Sequence, residues 1–151
     1  MKVAIVIALL VPLLIAGYFT VLGFVSRSSQ PPGMDNDRLS VCSQKPNCVS
    51  SEEGTDSQHK VEPFTAGALT IKQLALLVEG IGGKVVLVNN EYLAAEFSSS
   101  LFGFVDDLEL RIDHDNDLLH IRSASRVGHS DFGVNRKRVD QIRARLAEQN
   151  P

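Results

Sequence analysis

Residues 104–127 read FVDDLELRIDHDNDLLHIRSASRV, and their alternation decides the fold. Successive side chains of a strand point to opposite faces. Phe104, Leu108, Leu110 and Ile112 therefore share one face, and Leu119, Ile121 and Val127 share one on the following strand. The segment predicts strands over 102–112 and 118–127, joined at His114-Asp115-Asn116-Asp117. A turn centred on Asp115-Asn116 sets Leu110 opposite Ile121 and Ile112 opposite Leu119. The two apolar faces then coincide, which is what a one-sided core demands of the register. In that register Glu109 faces Arg122 on the polar side, taken as exposed, and Asp107 lies diagonally between Arg122 and Arg126. Asp106 falls on the apolar face opposite Ser125, where a carboxylate needs a partner.

Working outward, Thr70 and Gln73 have capping-box spacing, and Ile71, Leu74, Leu77, Val78 and Ile81 form one apolar helical face ending at Gly82-Gly83. Lys84–Val88 and Tyr92–Phe97 flank Asn89-Asn90 and read as a first hairpin. A last helix is predicted from about Val134 to Ala147, with Val139, Ile142 and Leu146 on one face. The expected class is α+β: a four-stranded antiparallel sheet with helices on one face. Residues 38–67 show no period and read as irregular.

Val3–Val25 is uncharged over 23 residues, and a helix of that length rises about 34 Å, enough to cross a bilayer core. A cleaved signal peptide is the rival reading. Its apolar region is shorter, about 7–15 residues, and ends at a small-x-small site. Here the apolar run continues past Ala16-Gly17, the one plausible cut. Residues 1–26 are therefore read as a transmembrane anchor, 27–38 as a Ser/Pro/Gly linker and 39–151 as one extracytoplasmic domain. Lys2 and the start amine on one side nearly balance Arg27 on the other, so orientation rests on Cys42 and Cys48. An oxidising compartment joins them in a disulfide; two free thiols in a cytoplasmic domain are the alternative. They lack the neighbours to complete a zinc shell. No metal or cofactor is expected.

Net charge is −3, unevenly spread. Residues 28–118 hold 15 acidic and 6 basic side chains; residues 119–151 hold 7 basic and 3 acidic. Such halves pair internally or offer the basic end to an anionic partner. The overall balance argues against nucleic acid. Two patterns nominate a site. Asp106 and Asp107 sit beside Arg122 and Arg126, as a structural network or as a polar-ligand site. Arg136-Lys137-Arg138 opens the last helix with the wrong sign for its dipole, so an anion or acidic neighbours belong there. Ser130, Asp131 and Asn135 are candidate caps. His129, Ser130 and Asp131, adjacent in sequence, cannot face one another as a catalytic triad. His59, His114 and His120 show no ligand spacing and read as surface residues.

Cys42 with PNCVSS at 46–51, FVDDLE at 104–109 and RSASRVGHSDFGVNRKR at 122–138 resemble the domain-of-unknown-function family 1499, over about residues 39–147. His129 departs from the aromatic residue expected there. The resemblance implies a single exported or membrane-anchored domain and adds no reaction. With the apolar span, it places the chain as a single-pass protein of a bacterial inner membrane, its C-terminal domain in the periplasm. Three functions compete. The first is a non-enzymatic binding or assembly module, with an anionic ligand, lipid headgroup or envelope protein at Arg122, Arg126, Arg136, Arg138, Asp106 and Asp107. The second is an envelope enzyme using Asp106 or Asp107 as general base with arginine stabilisation. The third is a purely structural tethered domain. Membrane lipid around the span is a partner in each.

Overall fold

The structure, a computed structural model, describes residues 2–149; the start amine of Met1 and residues 150–151 lie outside them. An apolar helix α1 (Lys2–Ser28) leads into short strands β1 (Met34–Asp35), β2 (Arg38–Leu39), β3 (Cys48–Ser50) and β4 (Phe64–Thr65). Helix α2 (Ile71–Gly80) precedes β5 (Lys84–Val88), β6 (Tyr92–Ser98), β7 (Val105–Asp113) and β8 (Leu118–Ser125), and α3 (Val134–Gln149) closes the chain. Val6–Ser28 is long and apolar enough to cross a membrane or to serve as a signal sequence, with a mean hydropathy of 2.4.

The main sheet is antiparallel and six-stranded, not four-stranded, in the order β3-β8-β7-β6-β5 with β4 also on β8. The two extra strands come from the segment read as irregular. Strands of two or three residues are too short to display a period of two. They lie end to end along β8: Cys48–Ser50 pair with Arg122–Ala124, and Phe64–Thr65 pair with Leu118–Leu119. β7 and β8 pair in the expected register, Leu110 with Ile121 and Asp106 with Ser125. β7 starts later and β8 ends earlier than alternation suggests. Phe104 precedes β7 and stacks near Phe19 and Phe102 instead of entering the core. Val127 follows β8 and is only partly buried.

Helices α2 and α3 both cover one face of the sheet. Leu74, Val78, Val139 and Ile142 pack there on Leu93, Leu108, Leu110 and Ile121, all fully buried. The capping box at Thr70 is formed in both directions, which sets where α2 begins. The opposite face carries the polar alternation, and it is not solvent-facing. Residues 29–39 return from α1 across it, and Leu39, Tyr92 and Ala94 make a second small core there. Glu109 is therefore fully buried, a correction to the exposed position that alternation implied. Cys42 and Cys48 form a disulfide that closes the loop leading into β3.

The end of α1 is built into this fold. The Ser26 hydroxyl accepts the amide of Val105, the first residue of β7, at 2.9 Å. Arg27 donates to the Phe102 carbonyl at 3.1 Å. Gly23 lies so close to the β6–β7 loop that a Cβ there would collide with the Phe102 carbonyl oxygen. Glycine is required by this approach of two backbones.

Candidate functional site

The sheet divides the sequence-nominated residues between its two faces. Arg122, Arg126 and Asp107 lie on the face covered by residues 29–39; Asp106 and Arg138 lie on the helical face. Arg136 sits apart, donating to the carbonyls of Gln58 and Lys60 at 2.9 and 3.2 Å.

On the helical face, α3 supplies Arg138 and Asn135 to the end of β8. Arg138 donates to Asp106 at 2.9 Å, to Ser123 at 2.9 Å and to Asn135 at 2.6 Å, and its guanidinium lies 4.2 Å from the centroid of the Phe97 ring. The Ser125 hydroxyl donates to Asp106 at 2.6 Å. Asn135, nearly inaccessible, donates to the Asn47 carbonyl and to Ser125. Its carbonyl takes the hydroxyl of Ser123. The half-buried Asp106 carboxylate that alternation put on the apolar face is thus satisfied by Ser125 of β8 and by Arg138 from a distant helix. At the start of α3 the Asp131 carboxylate accepts the amides of Gly133 and Asn135 at 3.0 and 2.7 Å. A carboxylate of this chain therefore faces the positive end of the helix dipole.

On the other face, charges stack in three tiers along β7 and β8. The tier nearest α1 is centred on Arg126, whose side chain is 4% exposed. It donates to both oxygens of Asp107, to Glu96 at 2.6 Å, and to the carbonyls of Ser26 and Ser29 at 3.1 and 2.6 Å. One guanidinium thus joins β6, β7 and β8 to the end of α1. Cations suit helix C-termini because the last carbonyls lack intrahelical donors. Burial raises the Asp107 carboxyl above its ordinary pKa, and Arg126 opposes that rise.

The middle tier is Glu109. It accepts the Tyr92 hydroxyl at 2.7 Å, the Gly33 amide at 3.0 Å and Arg122 at 2.7 Å. Burial raises its pKa despite Arg122, and burial beside Glu109 drives the Tyr92 hydroxyl far above its usual range.

The third tier lies at the far end of the sheet, with Arg111 about 20 Å and Asp113 about 26 Å from Val105 at ~3.3 Å per strand residue. Arg111 grips Glu52 with two donors, at 2.9 and 3.3 Å, and lies 3.5 Å from Asp113. His120 meets the Ser51 hydroxyl at 3.3 Å. Hydrogen bonds from Asn116 hold the Asp113 carboxyl below its ordinary pKa, with Arg111 adding to them. Over this tier opens a concavity of about 810 Å³, whose lining includes seven carboxylates against Arg38, Lys60 and Arg111. Neither Asp106 nor Asp107 lines it, nor the smaller concavity of about 130 Å³ beside Arg136.

Two histidines read as surface residues are buried. His120 belongs to this third tier, and His59 bridges the Asp56 carboxylate and the Lys45 carbonyl at 2.6 and 3.0 Å. His129 is exposed. The Arg111–His120 pairing was present in the hairpin register, on the same face as Glu109. Glu52 was beyond sequence reasoning, because it comes from a loop with no period. Among the described residues, no group of three or more His, Cys, Asp or Glu side chains is placed to hold a metal ion.

No curated protein and no solved structure matches this chain. A family profile described as "Protein of unknown function (DUF1499)" matches residues 38–146. That span runs from β2 through nearly all of α3 and includes all three charge tiers, so the chain belongs to the DUF1499 family.

Proposed function

We propose that this chain is a non-enzymatic binding or assembly module of the bacterial cell envelope. Helix α1 stays uncleaved in the inner membrane and holds the α+β domain on the periplasmic side. The observation that carries the reading is the docking of α1: Phe19, Gly23, Ser26 and Arg27 all contact the β6–β7 segment, and Arg126 binds the helix end. A cut after the apolar region would discard these contacts. The disulfide supports the oxidising side of the membrane. Asp106 and Asp107, which an enzymatic reading needs as bases, face Arg138 and Arg126 rather than a concavity. The surface offered to a partner is the acidic concavity at the far end of the sheet, suited to a cationic segment of an envelope protein.

A second reading keeps an anion at the start of α3. It is favoured by Arg136, which is exposed and bound to carbonyls alone at the first turn of α3.

One panel separates the two. Full-length protein in detergent is melted with spermidine or with inorganic phosphate at matched ionic strength. A ligand that binds only the folded chain stabilises it by about 2.7 kcal/mol at a hundredfold excess over its Kd. The first reading expects spermidine to raise the melting temperature and Glu53→Lys/Glu62→Lys to abolish the rise. Phosphate raising it, with Arg136→Ala/Arg138→Ala abolishing that rise, selects the second. A response to neither removes both sites. Intact mass tests the anchor separately: a chain beginning at residue 17 or later overturns it.

A further inference from the structure

The β6–β7 segment, FSSSLFGF at residues 97–104, carries no charge. Its tip is apolar and turned outward: Leu101 is 80% exposed. A lone exposed leucine on a soluble surface needs no explanation. This one lies beside the apolar helix. The Phe102 ring is 5.3 Å from that of Phe19, and the Phe102 carbonyl abuts Gly23. At ~1.5 Å per residue, Gly23 lies about 8 Å and Phe19 about 14 Å before the helix end at Ser28. The loop therefore runs back along α1, toward the membrane, past the point where the helix meets the sheet.

A hydrocarbon core about 30 Å thick, entered near residue 3, extends to about residue 23 of a helix with this rise. The loop tip is thereby set at the level of the acyl-chain boundary. Gly103 supports the same placement: it has φ +66° and sits against the Arg27 guanidinium, which closes the tight turn onto the helix. A second observation points the same way. Phe132 is 91% exposed and adopts φ +54°, a conformation uncommon for a bulky residue. It belongs to the loop that follows β8, and β8 ends at Ser125 beside Asp106, at the α1 end of the sheet. The loop that carries this exposed aromatic ring leaves the sheet at that end.

We propose that the β6–β7 loop is a second membrane contact: Leu101 and Phe102 enter the outer edge of the bilayer next to α1, and Phe132 reaches the interface from the loop after β8. The partner is the lipid acyl-chain region, not a protein and not a headgroup. This rests on α1 being an uncleaved anchor. Together with the Arg126 clamp, the insertion fixes the tilt of the domain, so the acidic concavity points away from the membrane at the opposite end of β7 and β8.

The test uses the full chain in vesicles of phosphatidylcholine and phosphatidylglycerol. The native cysteines are closed in the disulfide, so Leu101→Cys, Phe132→Cys and Asn116→Cys can each carry a single environment-sensitive fluorophore. Labels at 101 and 132 should emit to the blue of the label at 116, be quenched by lipids spin-labelled on the acyl chain, and lose iodide quenching several-fold. Iodide quenching at 101 equal to that at 116 overturns the proposal. Alkaline extraction of the same vesicles identifies the other failure: a chain that leaves the membrane overturns the anchor reading, and the loop insertion falls with it.

Discussion

Replacing Arg126 with Met tests the joint between helix and sheet. The side chain is buried, and its removal strands Asp107, which is nearly inaccessible, together with Glu96 and two carbonyls at the end of α1. Removing one partner of a buried ion pair costs roughly 3–5 kcal/mol, because the remaining charge is left uncompensated. The side-chain exposure of Glu96, 22%, lets water replace part of its loss, whereas Asp107 at 5% has no such route. Asp107 has one relief, protonation. Its folded pKa is already raised by burial, and Arg126 is the main influence holding it down. Without Arg126 it rises further. A carboxyl with a raised folded pKa binds its proton more tightly when folded, so stability falls as pH rises through that pKa and is regained below the unfolded value near 4. The deficit of Arg126→Met is therefore largest near pH 7.5 and shrinks toward about pH 5. Adding Asp107→Asn should recover part of it at the higher pH. Denaturant unfolding of the full chain in detergent, read by pulse proteolysis at both pH values, measures the effect. A loss below about 1 kcal/mol at both, the scale of an exposed pair, would refute the clamp.

Four further outcomes are expected. Glu109→Ala should cost roughly 3–5 kcal/mol in the same assay, because Arg122, Tyr92 and Gly33 lose their shared acceptor. Asp106→Ala should cost only about 1–3 kcal/mol, since Arg138 keeps Ser123 and Asn135; the reverse order would contradict the burial described for the two carboxylates. Opening the Cys42–Cys48 loop with a double Ser substitution should lower stability by about 2 kcal/mol, and reductant should then destabilise the native chain but not the variant. Thr70→Ala should cost about 1 kcal/mol by removing the cap of α2, while Thr70→Ser should be close to neutral.

Local pattern was enough wherever an element is long. The β7–β8 register followed from matching apolar faces, because a slip of one residue would have turned every leucine outward. The capping box located α2, and the α3 face followed from Val139, Ile142 and Leu146. The disulfide pairing needed no geometry, since the chain has two cysteines. The unequal charge of the two halves anticipated internal pairing, seen in Arg122–Glu109, Arg126–Asp107 and Arg138–Asp106.

What the sequence by itself determined was therefore the α+β class, the central hairpin register, the apolar N-terminal helix and the family. The tertiary structure decided the rest. Alternation distinguishes two faces of a sheet but does not say what covers each, and a face reads as polar whether it meets water or a charged, hydrogen-bonded layer. Here residues 29–39 fold back over it and bury Glu109, Arg111 and His120, which pair with groups supplied partly from remote loops. β3 and β4 are too short to carry a period, so their addition to β8 depends on an edge that exists only once the hairpin is built. The bond from Arg126 to Ser26 joins residues at opposite ends of the chain, and no local pattern encodes a contact of that separation.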